Sequence, residues 1–122
     1  MEKYRAVVEA TLDLSDTIGE GIDYIRYQSS QGDYLNTLNM FNDILQASAS
    51  IDTNLQSFVD KLPSNRLEEL GDTLRIGFSS LALAYEQEAL ERVLQVVQSM
   101  IDPAYESWKQ ELNRTLRPYI LV

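Results

Sequence analysis

Two acidic clusters carry residue types that could do chemistry, Glu68-Glu69-x-x-Asp72 and Glu88-x-x-Glu91. Carboxylates three or four apart share a helix face, and their hard oxygens suit Mg²⁺, which can stabilise charge on a departing phosphate. Such a site needs its carboxylates to converge between helices, yet Glu68 and Asp72 point about 100 to 140° away from the apolar Leu67. A longer acidic row, Glu9, Asp13, Asp16, Glu20 and Asp23, steps by four, three, four and three. It lies opposite Tyr4, Val7, Leu14, Ile18, Ile22 and Ile25 on the same helix. Like charges at this spacing repel by roughly 0.2–0.5 kcal/mol per pair, so the row is either solvated surface or a docking face for a basic segment.

The chain contains no Cys and no His. That excludes zinc fingers, iron–sulfur clusters, disulfides, Cys nucleophiles and Ser–His–Asp triads, leaving carboxylates, hydroxyls and the lysines Lys3, Lys61 and Lys109. No catalytic set, metal site or cofactor is expected. A formal charge of −9 disfavours nucleic acid and anionic membrane surfaces, both of which select for Lys and Arg. Apolar runs such as Leu81 to Tyr85 fall far short of the ~20 residues that span a bilayer, and no apolar leader follows Met1. The expectation is a cytoplasmic protein.

The elements that must position these residues follow from periodicity. With 44% apolar residues, five Gly and three Pro, residues 1–122 read as one folded domain. A 3.6-residue apolar period predicts a helix from Glu2 to Ser30, ended by Gly32 in a left-handed C′ conformation with Asp33 capping the next helix. The second helix runs from Tyr34 to Leu62 through Leu38, Phe41, Leu45, Ser48, Ile51, Leu55, Phe58 and Leu62, until Pro63 stops it. Asn65 with Glu68 resembles a capping box for a third helix from Arg66 to Met100, continuous or kinked near Gly77. Asp102 and Pro103 open a shorter fourth, with Tyr105, Trp108, Leu112 and Leu116 inward. The fold class is all-α: an antiparallel up-down bundle of three long helices plus a shorter C-terminal fourth.

Each helix glycine (Gly19, Gly21, Gly71, Gly77) costs roughly 1 kcal/mol against Ala, which points to close approach by a neighbour, with the small stretch Gln46 to Ser50 one partner for Gly19 and Gly21. Beyond Arg114 and Arg117, the apolar tail Tyr119, Ile120, Leu121 and Val122 either folds back on its own bundle or docks elsewhere. A short fourth helix would leave a groove open near Ile76, which the tail of a second copy could cover. Ile76, Tyr119, Ile120 and Leu121 are therefore the candidate homodimer contacts.

Two likenesses bear on function. The acidic clusters resemble the Glu-Glu-x-x-Glu and Glu-x-x-Asp pair of all-helical nucleoside triphosphate pyrophosphatases, with Asp72 and Glu91 exchanging the expected Glu and Asp; this implies a Mg²⁺-dependent hydrolase. Glu106-Ser107-Trp108-Lys109-Gln110-Glu111-Leu112 resembles the Trp-Lys-Gln stretch of some flagellin-export chaperones, with Asp23-Tyr24-Ile25-Arg26 placed on their first helix. That implies a chaperone whose outer grooves hold a client. The leading expectation from the residues themselves is a non-enzymatic adaptor, chaperone-like or regulatory subunit that binds a protein partner through its helix faces.

Overall fold

The two helix stops that organise the chain are the same motif built from different residues. In the computed structural model, which describes residues 2–120, α1 (Arg5–Ser30) follows a 3-10 turn at Glu2–Tyr4. It ends where Gly32 adopts φ +79°, its N–H bonding Ser29 O at 3.0 Å while Asp33 N–H bonds Gln28 O at 2.9 Å. These paired bonds form a Schellman motif. Asp33 is thus spent on closing α1, and α2 (Thr37–Phe58) opens later than the sequence suggests, without a side-chain cap. A 3-10 turn, Val59–Lys61, carries α2 to Leu62, which Pro63 holds extended at ψ 149°.

α3 (Leu67–Glu86) is not continuous to Met100. Glu88 N–H bonds Tyr85 O at 3.1 Å, Ala89 N–H bonds Ala84 O at 3.0 Å, and Glu88 takes φ +53°. Holding a non-glycine residue there costs about 1–2 kcal/mol. The fold-back it permits buries Val93, Val96, Val97 and Ile101 to 1% exposure or less, worth roughly 1.5 kcal/mol or more each, so burial decides.

After the break, α4 (Leu90–Val96), a π turn (Val97–Ile101) and α5 (Asp102–Leu116) form one unbroken helical rod. Asp102 has helical φ and ψ and is not a cap. Pro103 lacks a donor and its ring would strike the carbonyl four residues back, and the widened π turn just before it absorbs that conflict. The shorter fourth helix is therefore corrected to a long rod that gains its length from the third. Among the described residues, no strand occurs.

Side-chain contacts fix how the helices pair. Tyr4 stacks near Phe58, with ring centroids 6.1 Å apart, and Gly21 faces Ile44, so α1 and α2 run in opposite senses. Arg26 bonds Asp102 at 3.0 Å and Arg5 bonds the Ile120 carbonyl at 2.9 Å, which sets α5 against α1 in the same way. Tyr85 donates to Thr37 Oγ1 at 2.9 Å and Arg75 reaches Asp52 at 3.3 Å, which places α3 against α2. The core runs along the axis through Ile18, Ile51, Leu81, Ile101 and Leu112, each 1% exposed or less.

Candidate functional site

The α1 and α5 seam gathers carboxylates from two helices. Asp16, Glu20 and Asp23 of α1 meet Asp102 and Glu106 of α5 around a hollow of about 410 Å³ whose floor holds Gly19 and Tyr105. Tyr105 packs over Gly19 so closely that a Cβ there would lie 2.4 Å from the phenol oxygen. The phenol donates to the Ser15 carbonyl at 2.8 Å. Burial first, then the surrounding carboxylates led by Asp16, push its pKa up to about 12, so it remains a neutral donor. Lys109, 16% exposed, crosses from α5 to Ser15 Oγ at 2.5 Å and pairs with Asp16, while Arg26 pairs with both Asp23 and Asp102.

All five members of the acidic row, Glu9, Asp13, Asp16, Glu20 and Asp23, are exposed on the face away from the core. Three of them are partly neutralised within the chain: Glu9 by Arg5 at 3.1 Å, Asp16 by Lys109 and Asp23 by Arg26. Sequence reasoning placed the row but did not supply Asp102 and Glu106, which the rod of α4 and α5 brings alongside it.

The opposite seam is open. α1 packs closely on α2, and α3 on α5, whereas the backbones of α2 and α3 hardly come within 8 Å of each other. One hollow of about 470 Å³ lies between Leu55, Val59 and Leu62 on one side and Leu67, Glu68, Gly71 and Asp72 on the other, with Trp108 at its floor. A second, of about 320 Å³, lies between Phe41, Leu45 and Ser48 and the α3 residues Phe78 and Ser79. Arg75 separates them, bonded to Asp52 across the seam and to Asp72 on its own helix. Trp108 is 5% exposed, which fits its expected inward position.

The base of α3 is tied to α5 by Glu111. Its carboxylate accepts the Arg66 backbone N–H at 2.7 Å and two bonds from Arg114 at 2.7 and 2.9 Å. These bonds, with the positive charges nearby, hold its pKa down to about 2. Asn65 Oδ1 accepts the Leu67 N–H at 3.0 Å, but the residue that caps α3 is Arg66, and its N–H is taken by Glu111 of α5 rather than by a carboxylate of the first turn.

The phosphate-chemistry clusters do not meet. Glu68, Glu69 and Asp72 are exposed in the first turns of α3, while Glu88 and Glu91 are exposed beyond its far end. The helix between Asp72 and Glu86 alone spans about 21 Å. Glu69 pairs with Arg66 and Asp72 with Arg75. Among the described residues, no group of three or more acidic side chains is arranged to hold a metal ion.

Three of the four helix glycines meet a neighbouring element, Gly19 lying under Tyr105, whereas among the described residues Gly71 faces only Arg75 of its own helix. Gly21 faces Ile44 and Met40 rather than the small stretch Gln46 to Ser50, and Gly77 admits the π turn at Ile101. Of the candidate self-association residues, Ile76 is 61% exposed on α3. Tyr119 and Ile120 pack against the core of their own chain, Tyr119 bonding the Lys61 carbonyl at 3.4 Å, at the end of the bundle and away from Ile76. Leu121 lies outside the described residues.

A family model described as a domain of unknown function (DUF8042) matches residues 6–111, from the start of α1 into the last turns of α5. The chain belongs to the DUF8042 family. No curated protein and no solved structure matches the DUF8042 chain. No helix among its described residues is long and apolar enough to cross a membrane. Both seams lie within the matched span, so the arrangement belongs to the DUF8042 domain rather than to the tail after it.

Proposed function

We propose that the DUF8042 domain works without catalysis, as a cytoplasmic adaptor, chaperone-like or regulatory module that binds another protein. The observation that carries this reading is the meeting of Asp16, Glu20 and Asp23 with Asp102 and Glu106 around one hollow. Carboxylates from two helices repel one another there, and Lys109 and Arg26 offset only part of that charge. A basic partner segment relieves the remainder and gains its attraction at the same place. A second copy suits the face less well: each copy carries a net charge of −9, and Tyr119 and Ile120 are already seated on their own chain.

Calorimetric titration with an Arg- and Lys-rich peptide tests the reading. Affinity should fall severalfold between about 50 and 200 mM salt, because exposed charges are screened over about 10 Å. Replacing Asp13→Asn, Asp16→Asn and Glu20→Gln together should slow association more than it speeds dissociation. Equal binding by that variant would overturn the reading of the α1 and α5 face.

A further inference from the structure

We infer that the open seam between α2 and α3 is the seat of a partner helix, apolar along one face and basic along its edges. The inference rests on the reading that the domain acts by binding another protein, and it names the form that partner takes at a second surface. The α2 side of the seam is a row at steps of three and four without a gap: Leu38, Phe41, Leu45, Ser48, Asp52, Leu55, Val59, Leu62. All but Leu38 line one or other of the two hollows. That is the a and d pattern by which one helix receives the knobs of another. α2 also carries the row that packs on the core, through Phe41, Ile44, Ile51 and Phe58. It therefore presents two seams; in the second the chain buries Phe41 and half-covers Leu55 and Leu62, and leaves Leu38, Leu45 and Val59 exposed.

Three observations set the chemistry of the occupant. First, three of the eight exposed large apolar side chains among the described residues lie on this one row, Leu38 at 44%, Leu45 at 39% and Val59 at 45% exposed. Isolated exposed apolar side chains are ordinary, but a row at heptad spacing is a helix-packing surface. Second, the charged residues on both walls are acidic apart from Arg75: Asp52, Glu68 and Asp72. With a chain charge of −9, this favours Lys and Arg on the edges of the incoming helix and disfavours a second copy of this chain. Third, Asp52 occupies an a position, where a single charged residue sets register and partner choice. In the free domain Arg75 satisfies it at 3.3 Å, with Arg75 43% and Asp52 51% exposed. A basic residue of the partner replaces that exposed pair at low cost and joins the two hollows into one groove. Across α2 the row from Leu38 to Leu55 runs about 26 Å, and Val59 and Leu62 carry it on through the 3-10 turn and the extended residue that follow, so a helix of roughly 25 residues spans the whole.

The chain holds a single tryptophan, and it forms the floor of the larger hollow. Its emission therefore reports occupancy directly. The probe is a synthetic helix of about 25 residues with Leu at the a and d positions and Lys flanking them, compared with the same peptide carrying Glu in place of Lys. The Lys peptide is expected to shift Trp108 emission saturably, and the Glu peptide to bind at least tenfold more weakly. Leu45→Glu with Val59→Glu, at exposed positions and checked for unchanged circular dichroism, is expected to weaken the Lys peptide at least tenfold. Asp52→Lys provides an independent arm and is expected to narrow or reverse the preference between the two peptides. The combined Asp13→Asn, Asp16→Asn and Glu20→Gln variant is expected to leave the Trp108 response unchanged. Full binding to the seam variants overturns the inference. If binding is then lost in the α1 variant, the wider reading stands without the seam; if it persists in both, neither surface is the site. A wild-type mass near twice that of one chain, restored to one chain by the seam substitutions, also overturns the inference, because it makes a second copy the occupant.

Discussion

Replacing Glu111 by Gln tests whether the base of α3 is held by a charge or by shape alone. Gln keeps an oxygen for the Arg66 N–H but loses the charge that Arg114 grips through two bonds. The Glu111 carboxyl is held down to about 2 from an ordinary value of 4.5. At 1.36 kcal/mol per pH unit that difference corresponds to about 3 kcal/mol. Arg114 is 57% exposed, so solvent screens that arm and brings the expected contribution to about 1–2 kcal/mol. The sign follows from the direction. A carboxyl that titrates lower in the folded than in the unfolded chain stabilises fully above about pH 4.5 and loses that stabilisation as the pH falls toward 2. Urea unfolding should therefore put Glu111→Gln about 1–2 kcal/mol below wild type at pH 7, a midpoint shift of roughly 0.5–1 M. The gap should begin to narrow below about pH 4.5, fall to roughly half by about pH 3, and close only near pH 2. A gap that stays constant with pH, or one under about 0.3 kcal/mol at pH 7, would show that packing and not the carboxylate holds the two helices together.

Substitutions at three further positions probe the packing. Trp108→Ala should cost about 3–5 kcal/mol in chemical denaturation, since it opens a cavity beneath the α2 and α3 seam; a loss under about 1 kcal/mol would make α5 peripheral to the core. Thr115 is 1% exposed and its hydroxyl finds no partner among the described residues, so Thr115→Val should raise stability by about 1 kcal/mol, measured in the same way. At the left-handed Glu88, Glu88→Val should cost about 1–2 kcal/mol in thermal melting, while Glu88→Gly should stay within about 0.5 kcal/mol of wild type, the relief of strain being offset by the added freedom of the unfolded chain.

The helix breaks show which signals in a sequence are physical and which are conventions of residue choice. Both the α1 and α3 stops are Schellman motifs with the same two bonds. Gly32 announces the first, because glycine reaches positive φ freely; Glu88 gives no announcement of the second, because there the conformation is imposed by what the next helix buries. Conversely, Asp102-Pro103 carries a familiar start signal yet sits inside a rod, since the π turn supplies the room that Pro103 requires. Helix content and the inward face of Trp108 were legible because periodicity records burial directly. The boundary between the third and fourth helices was not, because it depends on contacts formed only once Val93, Val96 and Ile101 have somewhere to go.

The same distinction explains the α2 seam. Read as one stripe, Leu38, Phe41, Leu45, Ser48, Ile51, Leu55, Phe58 and Leu62 predict a single inward face with a slow drift. In the structure Phe41, Ile51 and Phe58 are buried at 2% exposure or less, while Leu38 and Leu45 are 44% and 39% exposed. The drift is the joining of two rows. Substituting Asp52 for Ile51 and Val59 for Phe58 turns the one stripe into the uninterrupted second row, and both alternatives are present in the sequence. A periodic pattern fixes how many faces a helix offers but not which neighbour fills each of them. Only the placement of α3 decides that: it packs on α5 and meets α2 through Phe78 and Arg75, its wall sets Glu68 and Asp72 beside Leu67, and Leu38, Leu45 and Val59 stay exposed.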